Sequence, residues 1–370
     1  MKNSLSRKTE RAFARDAESS APVAGKRLGF FTRLLDEASP AERYRLATEQ
    51  IVFAERLGFD SAWVAQHHFH EAEGGLPAPL VFLAQVASLT STIRLGTGII
   101  TLPLENPVRV AEDTAVLDLL TGGRLEVGVG PGGTPSAFAA FGLDSAKRGE
   151  ILARNLAVVL GAWRGEPIGG SVDRLYPAAP QLPDRVWQAT FSVEGGARAG
   201  AAGDGLMLSR TQPRIAEAPD ATLADIQNPI IDAYLAALPQ GREPRILGSR
   251  SVFVADDRRE ALRFAELGIR RALRRFPAGD KGSPDRPVEE LIAAYDVHIG
   301  TPDEVIASLR ADTTLARVTD ITVQVHSVDP PHPFILRSLE LVAEKVAPAL
   351  GWQRGDGLGQ RAEKRVAVVG

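Results

Sequence analysis

Residues Ile93–Gly130 read IRLGTGIITLPLENPVRVAEDTAVLDLLTGGRLEVGVG. Ile93–Leu102 is a β-branched, apolar run of strand character. Asn106-Pro107 then starts a helix, because asparagine caps the free N–H groups and proline is tolerated at the first helical position. Val108, Ala111, Ala115 and Leu119 follow along one side of that helix. Arg124–Gly130 returns to a strand. A strand, a helix and a second strand make one parallel pair with its crossover.

The same alternation extends outward in both directions. Towards the N-terminus lie a strand at Arg27–Thr32, a capping box at Ser39-Pro40-Ala41-Glu42 and a helix carrying Tyr44, Ala47, Ile51 and Ala54. A strand over Phe59–His68 and a helix near Leu80–Leu89 complete that side. Towards the C-terminus come a helix at Ile151–Trp163, strands at Val186–Ser192 and Gly203–Arg210, and a helix from Glu194 between them. Arg245–Val254 precedes a helix at Asp257–Arg275, and a second capping box sits at Thr301-Pro302-Asp303-Glu304. Ile321–His326 and a helix over Pro333–Ala347 close the series. Eight strand signals, each followed by a helix, predict an α/β fold of the (β/α)8 TIM-barrel class. An open doubly wound sheet would carry a glycine-rich turn after its first strand, and LGFFTRLLDEAS has none. GVGPGG at Gly128–Gly133 follows the fourth strand and contains Pro131. Glu166–Asp184, Thr211–Ala224 and Pro277–His298 read as insertions at the strand ends.

Composition narrows the function classes. The chain has 370 residues, 44% hydrophobic and 24% charged, within the globular range. Lys plus Arg number 43 against 46 Asp plus Glu, a net charge of -3 that gives no footprint for nucleic acid or an anionic membrane. Cysteine is absent, which removes disulfides, thiolate metal sites and cysteine nucleophiles. Residues 1–25 and 351–370 are polar tails expected to bury nothing, leaving one domain over residues 26–350.

In a barrel of this class chemistry gathers at the C-terminal ends of the strands. Those ends carry His67 and His68, Thr97 and Gly98, Gly130, Ser192, Ser209 and Arg210, and His326. Period-two alternation on the last strand sets Thr322, Gln324 and His326 against Ile321, Val323 and Val325, which turns His326 towards the mouth. A structural role for His326 stays open beside a site role. His68 and His70 form an HxH pair, but the six histidines leave the third to seventh strands without imidazole, so no metal is expected. Gly98, Gly128, Gly130, Gly195 and Gly196 also read as turn glycines with positive φ. Trp63, Phe59 and Phe82 read as core.

FDSAWVAQHHF, then IRLGTGIITLPLENPVRVAEDTAVLDLLTGGRLEVGVGPGG, and later VWQATFSVEGGARAGAAGDGL and GTPDEV, resemble the bacterial luciferase-like flavin-dependent monooxygenase family. The resemblance runs from about Lys26 to Leu350. It implies a cytoplasmic, homodimeric enzyme that receives reduced FMN from a separate flavin reductase and uses O2 to oxygenate a small organic substrate. A minority branch uses a deazaflavin for hydride transfer, and a non-catalytic flavin-binding barrel is the remaining alternative. Residue by residue, the resemblance makes His67 the catalytic histidine with His68 in support. Gln66 stands where glutamate is common, and Thr97, Gly98 and Ile99 match the segment under the flavin ring, with a cis peptide at Gly98–Ile99. Gly130 belongs to the same floor, and Ser192, Gly195 and Gly196 match the phosphate-holding turn. Pro131 replaces an arginine that often pairs with the phosphate, so Arg210, beside Ser209, is expected to supply that charge.

Overall fold

The strands run β1 (Arg27–Thr32), β2 (Ser61–Val64), β3 (Arg94–Thr97), β4 (Ile100–Thr101), β5 (Leu125–Gly130), β6 (Val186–Ala189), β7 (Gly205–Leu208), β8 (Ile246–Val254), β9 (Val297–Gly300) and β10 (Asp320–Gln324). In this computed structural model, which describes residues 25–215, 217–275 and 285–352, β10, β1, β2, β3, β5, β6, β7 and β8 follow one another in parallel, and a β10–β8 pairing closes the ring. The result is a closed (β/α)8 barrel. Most of the two expected tails, and residues 277–284 of the third insertion, lie outside the described residues. Trp352, beyond the expected domain end, is buried against the main core.

Between the strands run α1 (Pro40–Arg56), α2 (Pro79–Ala87), α3 (Pro107–Leu120), α4 (Pro135–Ala140), α5 (Arg148–Trp163), α6 (Val193–Ala202), α7 (Leu223–Ala237), α8 (Arg258–Arg275), α9 (Val288–Ala294), α10 (Pro302–Ala311) and α11 (His332–Leu341). Ser39 accepts from the Glu42 N–H, although the Glu42 carboxylate binds Arg45 and leaves the expected capping box half-formed, and Asn106 accepts from Val108 and Arg109. None of the described helices is long and apolar enough to cross a membrane.

Alternate residues of each strand face opposite layers. Ile321 and Val323 join the cluster under the helices, while Gln324 turns inward and donates to the Ser249 hydroxyl at 2.9 Å. The barrel interior is filled by Trp63, Trp187, Met207 and Leu247. The two indoles meet edge to face at 5.7 Å, and each fits because a glycine lies opposite. A Cβ on Gly96 would sit 2.3 Å from Trp63, and one on Gly205 would sit 2.3 Å from Trp187. Trp63, Phe59 and Phe82 are core, as expected. The Gly98–Ile99 peptide bond is cis, as the resemblance implies. The turn-glycine alternative does not hold, since Gly98, Gly128, Gly130, Gly195 and Gly196 all lack positive φ.

Two features depart from the expected pattern. Strand pairing on β2 stops at Val64, so Gln66–His68 lie in the following loop. The third insertion is also more regular than expected, because it contains α9 and β9. β9 pairs with the upper half of β8, Ser251–Val254, whereas β10 pairs with Leu247–Ser251. β7 pairs only with Ile246–Gly248, so β9 takes over that edge of β8 from Ser251 onward, opposite β10.

Candidate active site

Arg33 is the first residue beyond β1, and its guanidinium reaches across to the loop after β2. Nη2 donates to the Glu73 carbonyl and lies 3.1 Å from Nε2 of His67. The imidazole is fixed by its backbone N–H, which donates to the Leu76 carbonyl at 3.0 Å. Burial, and then the charge of Arg33, push the His67 pKa down to about 3, so the ring is neutral at ordinary pH. A guanidinium only donates, so Nε2 is the accepting nitrogen and the proton sits on Nδ1. Nδ1 is buried without a partner and packs against Gly74, where a Cβ would come within 2.7 Å.

His326 enters from the opposite wall. Its Nδ1 lies 2.6 Å from Oδ2 of Asp329. Burial, with Arg210 and Arg33 adding to it, pushes the His326 pKa down to about 4, against the pull of Asp329. Although burial opposes ionisation of Asp329, His326 and the nearby arginines hold its carboxyl below the ordinary range. Asp329 is therefore an acceptor, and His326 donates to it from Nδ1.

Arg210 lies between the two walls, only 4% exposed. Its Nη1 donates to the hydroxyls of Ser251 at 3.1 Å and Ser327 at 3.5 Å. Among the described residues no carboxylate lies within ion-pair distance of it or of Arg33. Burial first, and Arg33 second, push the Arg210 pKa down to about 9. Beside it Gln212 is 3% exposed, with neither amide atom hydrogen-bonded. Arg33, Arg210, Gln212 and His326 line one cleft of about 790 Å³, within the size range of small-molecule sites. A second cavity of about 250 Å³ reaches His67 from the side of Tyr44 and Phe69.

The other sequence-derived candidates have different surroundings. Gln66 is buried and fully engaged: its amide donates to the Pro77 carbonyl and to Glu105 at 2.6 Å, and accepts from the Thr101 N–H at 2.7 Å. Thr97 is fully buried, with its hydroxyl exchanging two bonds with the backbone of Gly128. It braces the strand that carries Gly98 and Ile99. Gly130 lets Ile99 approach, since a Cβ there would lie 2.4 Å from the Ile99 side chain. The His68 ring meets the edge of Phe141 at 5.1 Å. Ser209 shares its hydroxyl with Thr211 at 3.2 Å.

Ser192 caps α6, its hydroxyl accepting from Gly195 and its carbonyl from Gly196, each at 3.1 Å. Ser192, Gly195 and Gly196 are not in the lining of the large cleft. The structure thus brings Arg210 and His326 together in the large cleft and links His67 to it through Arg33, while the α6 turn is not part of that lining. Arg210, expected to meet a phosphate, donates from Nη1 to the Ser251 and Ser327 hydroxyls. Sequence reading missed Arg33, Gln212 and Asp329. The signal for Arg33 was its place directly after β1, because the first residue past a barrel strand is a mouth position.

Residues 28–319 match the family model for luciferase-like monooxygenases. The chain belongs to the luciferase-like monooxygenase family. It is 30% identical over 343 residues to 4-hydroxyprotoasukamycin monooxygenase of Streptomyces nodosus subsp. asukaensis, covering 84% of this chain and 91% of that one. A monooxygenase from Streptomyces bottropensis superposes with a TM-score of 0.73 at 27% identity, over 87% of this chain and 99% of that one. The oxygenating constituent of 3,6-diketocamphane monooxygenase from Pseudomonas putida, solved with FMN, has the same fold, with a TM-score of 0.68 at 21% identity over 88% and 98% of the two chains. This luciferase-like chain is accordingly an oxidoreductase, with its polar residues gathered where a barrel enzyme keeps its chemistry.

Proposed function

We propose that this luciferase-like protein is an FMN-dependent monooxygenase, fed with reduced FMN by a separate reductase and acting on a small organic substrate. The observation that carries the reading is that Arg33, Arg210 and His326 line one cleft of about 790 Å³ and that Arg33 ties His67 to its edge, 3.1 Å from Nε2. Nδ1 of His67 and Nε2 of His68 are buried without partners, which suits a site completed by a ligand. The FMN bound in the Pseudomonas putida neighbour supports the choice of flavin. When bound, reduced FMN supplies the activation of oxygen, and the protein supplies binding, orientation and proton control.

Gly98, Ile99 and Gly130 would hold the flavin ring, with Thr97 and Gln66 bracing the segment through the Gly128 backbone and the Thr101 N–H. The first turn of α6 at Ser192, Gly195 and Gly196, with Ser209 on the next loop, would hold the phosphate, since a helix N-terminus favours an anion. Glu194 turns outward for this, giving up the backbone N–H and the Ser192 contact that keep its carboxyl below the ordinary range. His67 holds a proton on Nδ1 and presents Nε2 to Arg33. A negative charge arriving in the cleft offsets Arg33 and raises the proton affinity of Nε2, which makes His67 the acid–base group. His68 fixes the loop by packing on Phe141. A homodimer belongs to the same reading.

Oxygen uptake and product formation with reduced FMN test it, using His67→Ala. FMN affinity should stay within a few-fold while product falls roughly 10²–10⁴-fold, the usual worth of a positioned proton donor. Oxygen should then leave mainly as hydrogen peroxide. Normal product formation by folded His67→Ala would remove the catalytic role.

A further inference from the structure

The walls of the large cleft hold more hydrogen-bond donors than the protein itself uses. Arg210 and Gln212 are 4% and 3% exposed, yet Arg210 meets only hydroxyls and Gln212 meets nothing. Nε of Arg33 is likewise buried without a partner. None of the nearby carboxylates forms an ion pair with Arg210 or Arg33. Asp329 is held by His326 at 2.6 Å and Glu73 accepts from the Thr134 hydroxyl at 2.8 Å, while Asp296 gives Oδ1 to Arg214 at 2.8 Å and keeps Oδ2 buried without a partner. Two guanidinium groups and an amide therefore face one cleft with unspent N–H groups. Burying such donors unmet is costly, and a buried cation without a counter-charge more so.

We infer that the substrate of this enzyme is an organic carboxylate, its carboxyl oxygens received by Arg210 and Arg33 with Gln212 beside them. Guanidinium groups present planar donor pairs that match carboxylate oxygens, and the hydroxyls of Ser251 and Ser327 hold one edge of Arg210 so that the rest of the group faces inward. Gln212 adds an N–H donor to the oxyanion, and its carbonyl takes an O–H or N–H on the neighbouring substrate carbon. The carboxylate is a handle, not the reacting group. Bound there, it also offsets the positive charge on Arg33 that now suppresses protonation of His67. The inference rests on the cleft being the reaction chamber of the flavin enzyme. The donor set itself is independent of the flavin.

The test is titration calorimetry on the full-length protein without added flavin, using hexanoate and benzoate against the neutral hexanamide and benzamide. The carboxylates should bind and the amides bind at least about tenfold more weakly, the loss expected when a charge-assisted pair becomes neutral. Arg210→Gln and Arg33→Gln should each erase that preference, leaving amide binding unchanged. Gln212→Leu guards against a variant that fails to fold. It should raise Tm, because a buried unbonded amide is replaced by an apolar side chain, and should still weaken carboxylate binding. Equal affinity for acid and amide, or no carboxylate binding at about 10 mM, overturns the inference. Arg210→Gln that weakens FMN but not riboflavin, with carboxylate binding intact, overturns it too and returns the arginine to the flavin phosphate. FMN titration of the same preparation separates the two readings: carboxylate binding without FMN binding leaves the anion site standing and removes the flavin.

Discussion

The two ends of this barrel treat charge in opposite ways. At the end where the strands begin, Arg27 grips both oxygens of Asp320 at 2.6 and 2.8 Å. Glu126 accepts from Arg94 at 2.5 Å and from the Trp187 indole at 2.8 Å, and Arg245 stacks over Trp187 at 5.0 Å. At the end where the strands finish, Arg33 Nε, His67 Nδ1, His68 Nε2 and both amide atoms of Gln212 are buried without partners. An unmet buried polar group costs about 1–3 kcal/mol. The closed end is built for stability, whereas the open end carries that cost for the sake of a ligand.

Gln66 is the exception at the open end, and it offers the sharpest test. It is buried and fully bonded, with its amide 2.6 Å from a Glu105 oxygen. Gln66→Glu would set two carboxylates in contact and leave the Pro77 carbonyl without its donor. We expect a loss of about 2–3 kcal/mol at pH 8, less than a fully uncompensated buried charge because one carboxyl of the pair takes up a proton. The loss should shrink towards pH 5. Thermal melts at the two pH values decide it. An unchanged Tm at pH 8 would mean that Gln66 is not the strut its bonds describe.

Asp320→Ala is the counterpart at the closed end. It removes a bidentate ion pair and an acceptor of the Thr319 hydroxyl at 2.7 Å. The Arg27 side chain is 48% exposed, so water compensates much of the loss. We expect about 1–2 kcal/mol of destabilisation in denaturant melts and unchanged turnover per folded molecule. Lost turnover without lost stability would break the division between the ends.

How far this division can be read from sequence depends on periodicity. The barrel was legible because alternation and helical spacing repeat over eight units, and the caps at Ser39 and Asn106 fell where their chemistry places them. β9 was not, because Val297–Gly300 is four residues long and follows an irregular insertion. His67, Arg210 and His326 were legible as strand-end residues. Arg33, Gln212 and Asp329 sit in loops, where a charged or amide side chain reads as solvated, and their burial comes only from the neighbours that tertiary contact supplies. Gln66 was found as a site residue, but its partner Glu105 lies 39 positions away and nothing local links them.

The smallest expected effect is on the pH dependence of stability, and it carries opposite signs at the two ends. At the open end His326 has its pKa pushed down to about 4 by burial, against about 6.5 for an exposed imidazole. Between those values the unfolded chain binds the extra proton, so this end loses stability as pH falls from about 6.5 to about 4. At the closed end burial pushes Asp60 and Asp204 up to about 6. There the folded chain binds the extra proton, so that end gains stability as pH falls from about 6 to about 3.9. His326→Gln keeps an N–H for Asp329 and removes the titration, so its Tm should fall less than that of the wild type between pH 7 and 4.5. Asp60→Asn keeps an acceptor for the Leu28 N–H, which Asp60 now receives at 2.8 Å, and its Tm should fall more steeply over the same interval. Differences of a few degrees are expected in a domain of this size. Matching slopes for wild type and both variants would show that neither set of buried groups titrates as its surroundings require.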